Sequence, residues 1–305
     1  MSETLATLAT AILAGALRVS TPFLFVSLGE CLTEKAGRIN LGNEGALVLG
    51  AMTAYAASYE SGSPWIGLIA AAAAGAALGA AHGILCSLTR VSDIAMGIAI
   101  MLAGTGLAFF FGKPYVQPSA PRLPSIPFGF WSDSPQLRNA LEVSPLFLAG
   151  AAFAFGLAWA LRSTRLGLVV RTVGDSRDAA NAMGFPVDKI RILATAAGSA
   201  LAGVGGAFLS LCYPGTWNEG LSSGQGLMAV ALVVFAGWSP VACVGAALLF
   251  GAAGALGPSL QTVGVTEGYY LFNAAPYALT LLLMAITVIP GRPLKGMPGE
   301  LSLMR

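Results

Sequence analysis

The feature that most limits what this chain can fold into is a series of apolar runs, each close to the length of a bilayer crossing. Nine are read: Leu5–Leu28, Leu41–Ser58, Trp65–Leu88, Ile94–Phe111, Pro145–Leu161, Ile190–Leu211, Gly226–Gly237, Val241–Leu256 and Leu271–Pro290. A helix crosses the hydrocarbon core with about 20 apolar residues, and only helices or closed barrels satisfy their backbone groups there. Of the 305 residues, 56% are hydrophobic and 10% charged, too few charges to cover a soluble surface. Gly and Ala crowd the runs, which suits close helix contact in lipid. The expected fold is all-α: a single polytopic transmembrane helix bundle over residues 1–305, with about eight to ten spans. The seventh run is short, as a broken or re-entrant helix would be. The first carries Arg18 and Pro22, which leaves open one long span or an interfacial helix followed by a shorter span.

Basic residues sort by side. With the N-terminus outside, the cytoplasmic connections hold Lys35, Arg38, Arg90, Arg162, Arg165, Arg171, Arg177, Lys189, Arg191, Arg292, Lys295 and Arg305. The outer side holds Lys113, Arg122 and Arg138, with Arg18 left in the first run. The excess of cytoplasmic Lys and Arg places the C-terminus inside. The proline-rich stretch 112–144 then reads as an irregular external loop, and the basic stretch 162–189 as a cytoplasmic loop.

Several functions find no apparatus. No G-x-x-x-x-G-K-[ST] run exists, so the nucleotide-binding engine is expected on another chain. With a single histidine, His82, and no H-E-x-x-H element, neither hydrolytic nor metal chemistry has an evident apparatus. Cys31, Cys86, Cys212 and Cys243 lie far apart and form no C-x-x-C pair, so they read as small packing residues. No cofactor is expected. The net charge of +2 carries no signal for nucleic acid. Met-Ser-Glu-Thr at the start lacks the basic region of a cleavable signal peptide.

Two places carry chemistry. In the cytoplasmic loop, Asp175 or Ser176 is a suitable N-cap and Asp178 sets a carboxylate in the first turn. Ala179, Ala180 and Ala182 favour helix, and Gly184 terminates it. The expectation is a two-turn helix lying along the membrane and flanked by basic residues, a rigid shape that a soluble partner could grip. The second place is Ala36-Gly-Arg-Ile-Asn-Leu-Gly-Asn-Glu-Gly-Ala-Leu47. Asn40 and Asn43 supply donors and acceptors, and Glu44 is a lone acid opening an apolar helix. An acid at membrane depth is costly and needs a partner or water. Glu44 could face substrate, neutralise Arg38, or favour its own helix N-terminus at the cytoplasmic interface. Asp93, three residues after Arg90, could pair with it at the interface. Trp217, with Asn218 and Glu219 beside it, could stack on a planar ring or sit as an interfacial tryptophan.

These segments resemble permeases of ATP-binding-cassette importers. The loop from Arg162 to Phe185 looks like their coupling loop, which implies Asp175, Ser176, Arg177, Asp178, Ala179, Ala180, Asn181 and Gly184 as the contact with the ATPase. The 36–47 run looks like the signature of the nucleoside branch, where Ile-Asn-Leu-Gly-x-Glu-Gly opens the second hydrophobic segment. Gly224-Gln-Gly-Leu-Met-Ala-Val-Ala-Leu-Val-Val-Phe-Ala-Gly-Trp238 resembles that branch's gated helix. The three matches stand in the family's order, and the resemblance runs from about Pro22 to Pro290. It implies a bacterial inner-membrane permease working with a cytoplasmic ATPase, a second permease chain, surrounding lipid and an external lipoprotein of the basic-membrane-protein type. Its implied substrate pathway comprises Asn40, Asn43, Glu44, Ser92, Asp93, Trp217, Asn218 and Gln225. Asp93 departs from the branch's commoner amide at that place. A simple sugar or a riboflavin-like compound remains an alternative cargo. An ion-coupled secondary transporter remains an alternative class, although the pair Asn40–Gly45 and Ser222–Gly226 lacks a matching acid in its second half.

Overall fold

A computed structural model gives the fold. It describes residues 2–88, 91–130, 138, 141–264, 267–287 and 296–302. Arg90, Arg292, Lys295 and Arg305, four of the residues behind the orientation, lie outside these, as does the end of the ninth run.

The first run is one continuous helix, α1 (Ser2–Lys35), with Pro22 inside it. After an irregular stretch come α2 (Asn43–Ser61), α3 (Pro64–Leu85) and α4 (Asp93–Gly112). A short 3-10 turn, Lys113–Tyr115, leads into the proline-rich loop, where β1 (Ile126–Pro127) pairs antiparallel with β2 (Glu142–Val143). Then follow α5 (Pro145–Ser163), α6 (Arg165–Asp175), α7 (Arg177–Ala182) and α8 (Val187–Leu211). The C-terminal third holds α9 (Gln225–Phe235), α10 (Pro240–Thr262), α11 (Tyr269–Asn273), α12 (Ala275–Thr287) and α13 (Gly299–Ser302).

Among the described residues, six helices are long and apolar enough to cross a membrane: α1, α3, α4, α5, α8 and α10. The other three expected runs differ for physical reasons. α2 has 19 residues but mixes Asn43, Glu44, Thr53, Tyr55 and Ser58 into its apolar sequence, and most of it is buried by other helices. α9 has 11 residues, about 16 Å of helix, half the thickness of a hydrocarbon core. The ninth run is broken at Ala274 into α11 and α12, with Pro276 in the turn that follows.

The two ends of the bundle are distinct. Arg18 of α1 pairs with Glu142 of the proline-rich loop at 3.4 Å. Near the same end Tyr55 and Ser58 of α2 donate to the carbonyls of Pro118 and Pro121, both at 2.8 Å. Seventeen residues further along α1, Lys35 reaches the opposite end, where α6, α7 and α13 cluster. The loops 112–144 and 162–189 therefore cap opposite ends.

Backbone-to-backbone approach holds the centre. α8 packs against α1, α2 and α3. Its Gly206 leaves no space for a Cβ beside the Leu47 carbonyl of α2, and its Gly203 none beside the Ala71 carbonyl of α3. Across the same seam, Gly75 and Gly79 of α3 sit against the carbonyls of Ser199 and Thr195. Small residues are what allow this closeness without a hydrophobic drive between helices in lipid. The outward faces of α3, α4 and α5 carry large exposed apolar side chains such as Ile69, Leu102 and Phe155.

The seam makes a direct prediction. Gly206→Val forces α2 and α8 apart and should abolish monodisperse elution from detergent. Gly156→Ala, where nothing lies within 4 Å of an added Cβ, should leave elution and thermal midpoint unchanged. Equal behaviour of the two variants would contradict the seam.

Candidate functional site

The polar residues of the 36–47 run fold inward at mid-bundle. Gly37, at φ 82°, turns the chain off α1, and it runs irregularly to the start of α2 at Asn43. Asn40 bridges: its backbone N–H donates to Glu30 Oε1 at 2.9 Å, and its amide donates to Ser199 Oγ at 2.8 Å and Asn43 Oδ1 at 3.1 Å. Asn43 donates to Glu30 Oε2 at 2.6 Å, and Ser199 Oγ lies 3.0 Å from Asn43 Oδ1. Glu30, Asn40, Asn43 and Ser199 are all at most 1% exposed. Ser199 is the midpoint of α8, so the network joins the last turns of α1 and the start of α2 to the centre of α8. The donors and acceptors of Asn40 and Asn43 are thus engaged within the chain.

Glu44 faces the other way, onto the half-helix α9. Its Oε1 accepts from Ser222 Oγ and its Oε2 from the Gly226 backbone N–H, both at 2.6 Å. The carboxylate therefore sits at two helix N-termini, its own and that of α9, where backbone N–H groups lack intrahelical partners and the dipole favours negative charge. Arg38 is not its partner. That guanidinium pairs with Asp93 at 2.8 Å and donates to the Cys86 carbonyl at 2.8 Å, with both charged groups buried. Of the readings open for Glu44, the contact with Arg38 is not made, and both of its oxygens are engaged at the start of α9. Asp93 has Arg38 as its partner, while Arg90 lies outside the described residues. Ser92 is exposed and caps α4, its Oγ accepting from Ala95 N–H. His82 is fully buried in α3.

Residues 212–224 carry the chain from the loop end of α8 back to Glu44. Trp217 is 2% exposed and donates to the Gly112 carbonyl at 3.0 Å, so its ring packs inside the chain. Asn218 and Glu219 are exposed, and Asn218 Oδ1 accepts from Gly220 N–H. Gln225 is half-buried, and its Oε1 has no partner among the described residues. Both ends of α9 rest in the left-handed region: Ser223 at φ 47° and Gly224 at 74° before it, Gly237 at 60° and Trp238 at 52° after it. For Ser223 and Trp238 such angles are strained, about 1–3 kcal/mol each, and strain of this kind concentrates at switch regions. The Trp238 indole donates to Glu34 of α1, and the Tyr277 hydroxyl to the Ser223 carbonyl at 2.5 Å.

At the opposite end lies α7. Of the two possible caps, Ser176 is used, its Oγ accepting from Ala179 N–H at 3.2 Å. The helix has six residues, shorter than the two turns expected, and Gly184 at φ 80° ends it. Ala180 is fully buried against Val173 and Val187. It seats the helix on the chain, and Asp175, Arg177, Asp178, Ala179, Asn181 and Met183 face outward instead. Sequence reading also passed over Glu300. Its Oε1 accepts from Arg177 N–H at 2.8 Å and its Oε2 from Arg191 at 3.0 Å. Burial pushes the Glu300 carboxyl up, but these two donors outweigh it and hold it below its ordinary range.

The chain matches a family model described as branched-chain amino acid transport system, permease component, over residues 12–289. It is 36% identical over 253 residues to a putative glucose ABC transporter permease of Haloferax volcanii, covering 81% of this chain and 77% of that one. It is 30% identical over 291 residues to a guanosine ABC transporter permease of Bacillus subtilis, covering 90% of each. A nucleoside ABC transporter permease of Lactococcus lactis is 28% identical over 292 residues, covering 90% of this chain and 91% of that one.

Two outcomes follow from the geometry. Glu44→Ala strands the Ser222 hydroxyl and the Gly226 N–H, each at a cost of about 1–3 kcal/mol. Hydrogen exchange at residues 222–228 should therefore quicken while the centre of α8 stays protected; unchanged exchange at 222–228 would contradict the cap. A carboxylate held below its free value stabilises the fold above the free value and loses that contribution as pH falls through the depressed one. The thermal midpoint of Glu300→Gln should therefore lie below wild type at neutral pH, and the gap should close through the acid range. A gap independent of pH would contradict this.

Proposed function

We propose, on the premise that the chain belongs to the permease-component family of branched-chain amino acid transport systems, as its match over residues 12–289 shows, that it forms part of a nucleoside pathway in an ATP-driven importer. The observation that carries the proposal is the Glu44-capped half-helix at mid-bundle, built from the two segments whose sequence resembles the nucleoside branch. The Bacillus and Lactococcus relatives, named for guanosine and nucleosides, support that cargo.

In this reading Glu44 positions the half-helix, and Asn40 and Asn43 brace the frame of α1, α2 and α8 beside it, rather than bind cargo. Their hydrogen bonds are already made inside the chain. The groups left to face a passing nucleoside are those on and before the start of α9: Gln225 with its unpartnered carbonyl oxygen, Asn218 and Glu219. A neutral nucleoside presents ring nitrogens and ribose hydroxyls that match an amide and a carboxylate. Ser92, Asp93 and Trp217 act as a helix cap, an ion pair and a packing group around them.

The cytoplasmic ATPase would grip α7 by Asp178, Ala179, Asn181 and Met183, with Ala180 as its seat. Closure of that ATPase displaces α7, and α9 shifts between its strained ends, opening the site to alternate sides. The basic residues of loop 162–189 support a cytoplasmic position for α7 and an external one for loop 112–144. An external lipoprotein would deliver the nucleoside to that outer side, and a second permease chain would complete the pathway.

The test is uptake of radiolabelled guanosine by vesicles holding this chain with its second permease, ATPase and binding protein. Gln225→Ala should lower the rate several-fold, since a hydrogen bond to a neutral group contributes about 0.5–1.5 kcal/mol. The Haloferax relative, named for glucose at 36% identity, favours a sugar as the second reading. ATP-dependent flux of glucose with none of guanosine would replace the nucleoside assignment by it.

A further inference from the structure

The segment 296–302 lies outside every element so far given a role, yet it touches each moving part of the proposed mechanism. At one end, Gly296 packs so closely on Gly237 that an added Cβ would lie 2.5 Å from the Gly237 carbonyl oxygen. Gly237 is the first of the two left-handed residues closing α9. The Gly296 carbonyl also accepts from Lys35 Nζ, at the end of α1, at 2.9 Å. Next, Met297 joins the apolar cluster that contains Trp238 and Leu232, and Pro298 is buried. At the other end, Gly299 lies flat on the Asp175 carbonyl, with no room for a side chain. Glu300 completes the contact by holding the Arg177 N–H, the first residue of α7, and the Arg191 guanidinium at the base of α8. Leu301 is 3% exposed.

We propose that segment 296–302 is the mechanical link from the coupling helix to the half-helix, with Glu300 and Lys35 as its positioning residues; this rests on the coupling role assigned to α7 above. Three residues lie between Gly296, which meets Gly237, and Glu300, which meets Arg177. A stretch that short spans at most about 14 Å even when extended, which limits how far its two ends can part. The ends are also held differently. Glu300 grips a backbone N–H at the start of α7, so it follows that helix whatever its side chains do. Gly296 lies against the strained turn, where a small displacement can exchange left-handed for ordinary backbone angles. Arg191 donates as well to the carbonyls of Ala36 and Val173, at 3.1 and 3.2 Å. The Glu300 carboxylate is therefore anchored to the static base of α1 and α8 and to mobile α7 at once. Weakening it should let α7 move without α9 following.

A stabilising role alone would lower the amount of assembled complex but leave the cargo moved per ATP unchanged. The decisive quantity is therefore guanosine or glucose taken up per ATP hydrolysed, in vesicles containing the complete complex. Glu300→Ala removes the acceptor from both the Arg177 N–H and Arg191, and Lys35→Met removes the bond to Gly296 at the other end. Each should lower uptake per ATP several-fold in complexes normalised for assembly, and Glu300→Asp should restore part of it. If either variant does not assemble, the other supplies the measurement. An unchanged ratio in an assembled variant, or uptake and hydrolysis falling in parallel, overturns the link. A wild-type complex whose ATPase drives neither cargo refutes the permease coupling itself, a separate outcome from an unchanged ratio in a working complex.

Discussion

Glu44 at the paired helix ends is the interaction on which the rest of the structure depends. A helix broken at mid-bundle exposes backbone N–H groups where no water is at hand to receive them. Here two helices, α2 and α9, start in that region. The Glu44 carboxylate, carried on the first turn of α2, meets the need at the start of α9, and Ser222 completes its shell. Without such a group the half-helix would be an orphan of the kind membrane folds do not tolerate. With it, the chain can keep a polar, non-helical stretch at the level where a cargo would pass.

Beside that junction the molecule divides into parts of unequal stiffness. α1, α2, α3 and α8 meet through glycines with backbone against backbone, and the Glu30–Asn40–Asn43–Ser199 network ties three of them at one level. Close packing and a fully satisfied buried network both resist deformation. α9 is packed on one face, by Ala229, Leu232 and Val233, and outside its first turn takes no part in such a network. It is pinned at its start by Glu44, bounded by strained residues, and touched at its end by Trp238 bonding to Glu34. A rigid frame with one short, strained helix mounted on it suits a pathway that must open to each side in turn.

The sequence carried the broken helix, because a short apolar run flanked by glycine cannot be a full crossing. It also carried the 36–47 run as an unusual polar start, since an acid and two amides within a hydrophobic pattern have few explanations. What it could not carry were partners distant along the chain. Ser199 lies 156 residues from Asn43, and Ser222 lies 178 residues from Glu44. No periodicity links such positions; only the helix packing does. Glu30 and Glu34, two acids four apart just past the first apolar run, lie inside the continuous helix α1, whose length past Leu28 the run did not show. Helix α7 was legible in its ends, Ser176 and Gly184. Its inner face was not, because in Arg-Asp-Ala-Ala-Asn-Ala any of the three alanines could have been the buried one. Glu300 was hidden for a different reason: it follows the last apolar run, where a lone acid in a four-residue helix reads as surface.

The central claim is that α9 moves on a fixed α2–α8 frame. Distances between spin labels test it most directly, with one pair at Ser61 and Leu227 and a control pair at Ser61 and Leu193. They would be measured in the complete complex with the ATPase empty and with it held closed by ATP. The account predicts that the Ser61–Leu227 distribution shifts on closure while Ser61–Leu193 stays in place. Two static distributions, or two that shift together, would contradict it.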